Sequence, residues 1–170
     1  MDDVLKEAIK EKNILVDDMQ SIILSTTDKN GSPNSSYAPS AIDDSHNYYI
    51  YISRLSKHTN NLLNNSPVSM MIINDESKTE HIFGRKRLTM NAVSTEIKRD
   101  TEQWNNKMDL MEKKFGESIT YLKNLTDFHL FKLDPQDGLL VHGFARAFKL
   151  SGSNLDEIKY LNDKGHSSKK

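Results

Sequence analysis

Three sets of residues in this chain have the chemistry to hold a charged ligand. Within residues 47–73, Ser53, Arg54, Ser56, Lys57 and His58 place hydroxyls, cations and an imidazole around one tight turn. Ser56 stands where a helix N-cap belongs, ahead of KHTNNLL, and a helix N-terminus offers unpaired backbone N–H groups. That is an anion site in outline, although the same residues also suit an ordinary capped helix. The second set is Arg85, Lys86 and Arg87 at the opening of an apolar run. Strand alternation would send Arg85 and Arg87 to one face, where both could meet a pair of carboxylates. A charged strand that resists edge pairing reads the same way. The third set is histidine. His142 in LLVHGFARAF is either a buried, hydrogen-bonded ring or a pocket residue, and His166 lies in the terminal GHSSKK.

The elements that must position these side chains are mostly strands. Tyr48, Ile50 and Ile52 alternate with Tyr49, Tyr51 and Ser53, a period of two rich in aromatic and β-branched residues. Pro67 ends the short helix after Ser56, and the apolar run 68–73 suits a strand covered on both faces. Ahead of this stretch, residues 2–13 carry one apolar stripe of a short helix. SIILSTT, a turn at Gly31 and a second strand through Tyr37 and Ile42 then form a meander. Residues 82–98 read as one long strand bent at Gly84. Trp104, Met108, Met111 and Phe115 make the apolar stripe of a helix, with a second short helix at 118–125. Residues 128–133 and 139–150 read as two further strands separated by DPQDG, and 155–161 as a short helix in a polar tail. Six or seven strands broken by glycine close more readily into a small barrel than they stay flat. The expected architecture is mainly β with flanking helices: a barrel over residues 1–150 and a tail over 151–170.

Bulk composition narrows the function classes. A length of 170 residues supports one domain with a sizeable core. Lys+Arg 23 against Asp+Glu 24 leaves a formal charge of −1, so no global field draws the chain to nucleic acid or a lipid surface. The absence of cysteine excludes disulfides, thiolate metal sites and a cysteine nucleophile. No apolar run approaches a membrane span and the charged N-terminus is unlike a signal peptide, so the expected location is cytoplasmic.

The segments YISRLSKHTNNLLNNSPVSMMII, RLTMNAVSTEI, YLKNLTDFHLFKL and GLLVHGFARAFKL, in that order, resemble the split-barrel flavin-binding superfamily of pyridoxamine 5'-phosphate oxidases. More narrowly they are similar to its haem-utilisation branch, the HugZ-type haem oxygenases. The resemblance covers about residues 21–150. It implies a homodimeric, six-stranded split β-barrel that binds ligand between subunits. In the haem-utilisation branch a histidine of the C-terminal tail ligates the iron, which His166 matches, and a basic residue before the RLT strand meets the propionates, which Arg87 matches. Arg85 and Lys86 stand beside it. Haem is then both substrate and cofactor, an electron-donating reductase is a partner, and iron is released as the porphyrin opens to a bilin.

The alternative implied by the wider superfamily is an FMN-dependent oxidoreductase using Ser53, Ser56 and Lys57 as its phosphate cradle. The second strand, PNSSYAPSAI, lacks the basic residue that flavin-binding members add. A third possibility is a haem or flavin binder without turnover. Relative to the branch, the chain has no room for an extra small domain. His142 stands where glycine is common and Ala145 replaces another.

Overall fold

Strands with one apolar face bury it most completely by curling shut, and a bulge or a glycine supplies the curl. The computed structural model describes residues 3–161. Its strands are β1 (Ser21–Thr27), β2 (Pro33–Ile42), β3 (Tyr48–Ser53), β4 (Pro67–Ile73), β5 (Arg87–Ile97), β6 (Phe128–Val141), β7 (Ala147–Ser151) and β8 (Glu157–Tyr160). Four α-helices flank them: α1 (Asp3–Asp17), α2 (Lys57–Asn64), α3 (Glu102–Phe115) and α4 (Glu117–Leu122). Among the described residues no helix is long and apolar enough to cross a membrane.

Neighbouring strands run β3-β2-β1-β4-β5-β6-β7-β8, all antiparallel, and β3 also pairs with β6. That extra ladder, from Tyr48 opposite Leu133 to Ser53 opposite Phe128, closes six strands into the expected split barrel. The period of two in YYIYIS is used on both faces. Tyr48, Ile50 and Ile52 enter the barrel core, while Tyr49 and Tyr51 pack outward under Trp104, Met108 and Met111 of α3. The Thr101 side chain caps α3 by accepting from Trp104 N at 3.1 Å.

Four expectations need correction. Residues 128–133 and 139–141 belong to one strand rather than two. At Asn91/Ala92 the register shifts so that Ala92 faces Pro135 and Asn91 faces Asp137, and Pro135, which has no N–H to donate, is tolerated at this bulge. The break falls later, in the turn 142–146, which separates β7. Residues 82–84 are a 3₁₀ turn, and β5 begins only at Arg87. Gly84 lies against the 142–146 turn so closely that an added Cβ would stand 2.5 Å from Phe144 N. Residues 155–161 do not form a helix: Leu150 faces Ile158 where β8 pairs with β7. Leu155, Ile158 and Leu161 are spaced as a helix stripe, but only Ile158 lies within β8, and Leu155 sits at φ 51° in the turn before it. Helix α1 extends beyond residue 13, burying Leu15, and is tied down by Lys86 to Glu11, by Arg146 to Glu7 at 3.1 Å and by Lys12 to the Leu155 carbonyl at 3.1 Å.

Asp43 joins the β2–β3 turn to α3. It accepts from Tyr49 Oη at 2.7 Å, Lys107 Nζ at 2.8 Å and Asn47 N at 3.1 Å. Burial works against its charge, but these donors outweigh it and hold the carboxyl down to about 2, against 3.8 for a free aspartate. A carboxyl depressed in the folded state adds stability above the unfolded value, and that stability is lost as pH falls from about 4 through 2. Asp43→Asn is therefore expected to cost about 1–2 kcal/mol at pH 7, allowing for solvent screening, and to flatten the acid limb of the stability curve. Urea titrations at pH 7, 4 and 2.5 check this; an equal loss at all three pH values would show that the charge is not responsible.

Candidate functional site

The turn after β3 is built by short polar side chains. Thr59 Oγ1 donates to Ser53 O at 2.6 Å and Asn60 Nδ2 to Arg54 O at 3.0 Å, so the first turn of α2 folds back over residues 53–56. Ser56 occupies the N-cap position, but its hydroxyl makes no cap bond. Arg54 and Lys57 are exposed and His58 is buried.

The hydroxyl that would receive an anion is committed elsewhere. Ser53 Oγ donates to Asp127 Oδ2 at 2.6 Å and accepts from Leu55 N at 3.1 Å. A carboxylate therefore occupies one flank of the turn. His58 Nδ1 lies 2.8 Å from Ser36 Oγ of β2, and Nε2 is buried with no hydrogen-bond partner. Burial pushes the His58 pKa down from 6.5, which keeps the ring neutral at physiological pH. A groove of about 560 Å³ runs past this turn, between Ser36 and Tyr37 of β2, Tyr51, His58 and Phe128. No arginine or lysine of β2 faces it, since that strand has none.

The second group lies at the other end of β6. Ser53 pairs with Phe128 at the first residue of that strand, whereas Arg87 pairs with Val141 at its last. The two are separated by roughly 40 Å of strand within one subunit. Arg85 and Arg87 do not share a strand face. Arg85 caps the 3₁₀ turn and is held by Asn74 O at 2.7 Å and Glu76 at 2.9 Å; Lys86 is taken by Glu11. Arg87 donates to Arg85 O at 2.9 Å, and among the described residues no carboxylate pairs with it. Beside this cluster, Ile82, Phe83 and Phe144 are 58%, 82% and 60% exposed. His81 packs between the two phenylalanine rings, 6.0 Å from Phe83 and 5.5 Å from Phe144.

His142 belongs to this end too. It stacks on Phe148 at 5.1 Å with the rings 16° apart, and with Lys86 and His81 it lines a cleft of about 290 Å³. Its Nε2 is buried without a partner, and burial lowers its pKa. The structure thus groups Ser53, Arg54, Ser56, Lys57 and His58 at one end of the barrel, and Lys86, Arg87 and His142 at the other. His166 lies outside the described residues. Asp127 is the member that sequence reasoning missed. Its position in LTDF, immediately before a strand, was the available signal.

The family described as pyridoxamine 5'-phosphate oxidase matches residues 5–142. The heme oxygenase HutZ of Vibrio cholerae serotype O1 is 42% identical over 143 residues, which is 84% of this chain and 80% of HutZ. A crystal structure of Vibrio cholerae HutZ, described there as a heme storage protein, is 40% identical with a TM-score of 0.75, covering 79% of this chain and 94% of that one. The crystal structure of Campylobacter jejuni ChuZ gives a TM-score of 0.84 at 31% identity over 96% of this chain and 66% of ChuZ. The barrel closed by β3 and β6 and the match over residues 5–142 lead to one assignment: this chain belongs to the pyridoxamine 5'-phosphate oxidase family, beside HutZ and ChuZ.

Proposed function

We propose that the chain acts as a homodimer that binds haem between its subunits and opens the porphyrin oxidatively, releasing iron. The observation that carries this is the surface around Arg87, a guanidinium that no carboxylate among the described residues pairs with, beside exposed Ile82, Phe83 and Phe144. That combination suits a flat apolar macrocycle with acidic substituents. Bound haem supplies both the oxidisable ring and the iron that activates oxygen. The protein would supply the surroundings: Arg87 would meet the propionates, the exposed aromatic rings would exclude water from the macrocycle, and His166 would furnish an imidazole to the iron. In the proposed dimer the Ser53–His58 turn of one subunit would lie toward the Arg87 end of the other, since one chain holds the two at opposite ends of β6. Electrons come from a reductase, and the reaction takes place in the cytoplasm.

FMN fits this chain poorly. Its phosphate would face the Asp127 carboxylate across a Ser53 hydroxyl that already makes two hydrogen bonds, with no cation from β2 to offset the repulsion.

Hemin titration of the purified protein should develop a Soret band that His166→Ala shifts or abolishes. Adding ascorbate or a reductase should then bleach the band and yield a bilin. A protein that takes up FMN stoichiometrically and ignores hemin would overturn the proposal, and hemin that stays bound and intact under reductant would reduce it to a carrier.

A further inference from the structure

Between α4 and β6 the chain crosses residues 123–127 without regular structure and delivers Asp127 to the Ser53 turn. The carbonyls of this crossing converge on one side chain. Arg99 donates through Nη1 to Lys123 O at 2.8 Å, and through Nη2 to Leu125 O at 2.6 Å and Phe128 O at 3.3 Å. The same Nη2 reaches Tyr51 Oη at 2.7 Å. The guanidinium lies over Trp104, 5.1 Å from the ring centroid, so its plane is fixed from beneath. Tyr51 in turn packs on Trp104 and on Phe128, and both Tyr51 and Phe128 line the groove past His58.

We propose that Arg99 is a positioning residue for the ligand site: it gathers the α4–β6 crossing, and through Asp127 it sets the Ser53–His58 turn. For ligand binding this rests on the haem reading above; the positioning itself does not. The path is continuous. Arg99 holds the carbonyls on either side of Asp127, Asp127 O accepts from Arg54 N at 2.8 Å, and Asp127 Oδ2 accepts from Ser53 Oγ. Only a guanidinium has the fork to serve four acceptors at once; a lysine ammonium keeps the charge and loses the geometry. The groove wall formed by Tyr51 and Phe128 and the turn that faces it are thereby locked to one another.

The test compares Arg99→Lys, Ser53→Ala and the double variant with the parent protein. Amide exchange at Arg54 should accelerate by about tenfold in Arg99→Lys, while the most protected barrel amides change little. Hemin affinity should fall by about tenfold in Arg99→Lys, and the double variant should bind no more weakly than the worse single one, because both break the same path. Unchanged Arg54 exchange, or losses that simply add, would overturn the positioning role. Hemin binding as tight as in the parent would overturn its role in ligand binding. If Arg54 exchange accelerates but the parent protein itself ignores hemin, positioning stands and the haem reading falls. Should Arg99→Lys fail to fold, Tyr51→Phe removes one acceptor and keeps the guanidinium. A smaller acceleration at Arg54 is then expected, and none would count against the role.

Discussion

Arg87→Ala is expected to weaken hemin binding by about 10- to 100-fold and to leave the fold intact. A guanidinium that meets a carboxylate in a partly dry interface contributes about 1.5–3 kcal/mol, which is that factor in affinity. The cost to the free protein is small, because Arg87 gives up one hydrogen bond to the Arg85 carbonyl and no ion pair among the described residues. Its neighbours supply the control. Arg85 is held by Glu76 and Lys86 by Glu11, so Arg85→Ala and Lys86→Ala should reduce hemin affinity by only a few-fold. Soret titrations beside thermal melts of the four proteins decide the matter. Equal losses at all three positions would mean that a diffuse field, not one guanidinium, attracts the ligand.

The second large effect belongs to Gly84. An added Cβ would lie 2.5 Å from Phe144 N and 2.8 Å from Gly143 C, contacts with backbone that cannot turn aside. Gly84→Ala must push the 3₁₀ turn away from the 142–146 turn, at about 1–3 kcal/mol of overpacking. It also separates Phe83 from Phe144, so hemin affinity should fall together with the melting temperature. Gly138→Ala is the matched control: its nearest contacts are 3.3 Å and 3.4 Å, and two of the three are side-chain atoms. Gly84→Ala melting at the parental temperature would show that the two turns separate at little cost.

The barrel strands announced themselves where one rule governed a segment. In β3 the alternation of Tyr48, Ile50 and Ile52 with Tyr49 and Tyr51 named both faces, and in α3 the Trp104, Met108 and Met111 stripe named the buried one. The sequence is ambiguous where two rules compete. Pro135 and Gly138 look like a turn, yet the bulge at Asn91/Ala92 absorbs the proline and β6 runs on. Arg85 and Arg87 have strand spacing, but the close approach of Gly84 to Gly143 and Phe144, distant in sequence, bends the chain before Arg87. Of the site, the Ser53–His58 turn was legible because its residues are contiguous. Asp127 and Arg99 were not, since Arg99 acts mainly through carbonyl oxygens, which every residue possesses and no sequence pattern marks.

Closure of the barrel through β3 and β6 has a consequence for how the chain is made. Tyr48 leaves the ribosome long before Leu133, its partner in the ladder, so a nascent chain carries β1 to β5 as an open sheet with two bare edges. Joining such distant segments is entropically slow, and until β6 emerges those edges can pair with a neighbouring chain instead. The same strand that seals the cage is thus the one whose late arrival exposes the growing protein to aggregation.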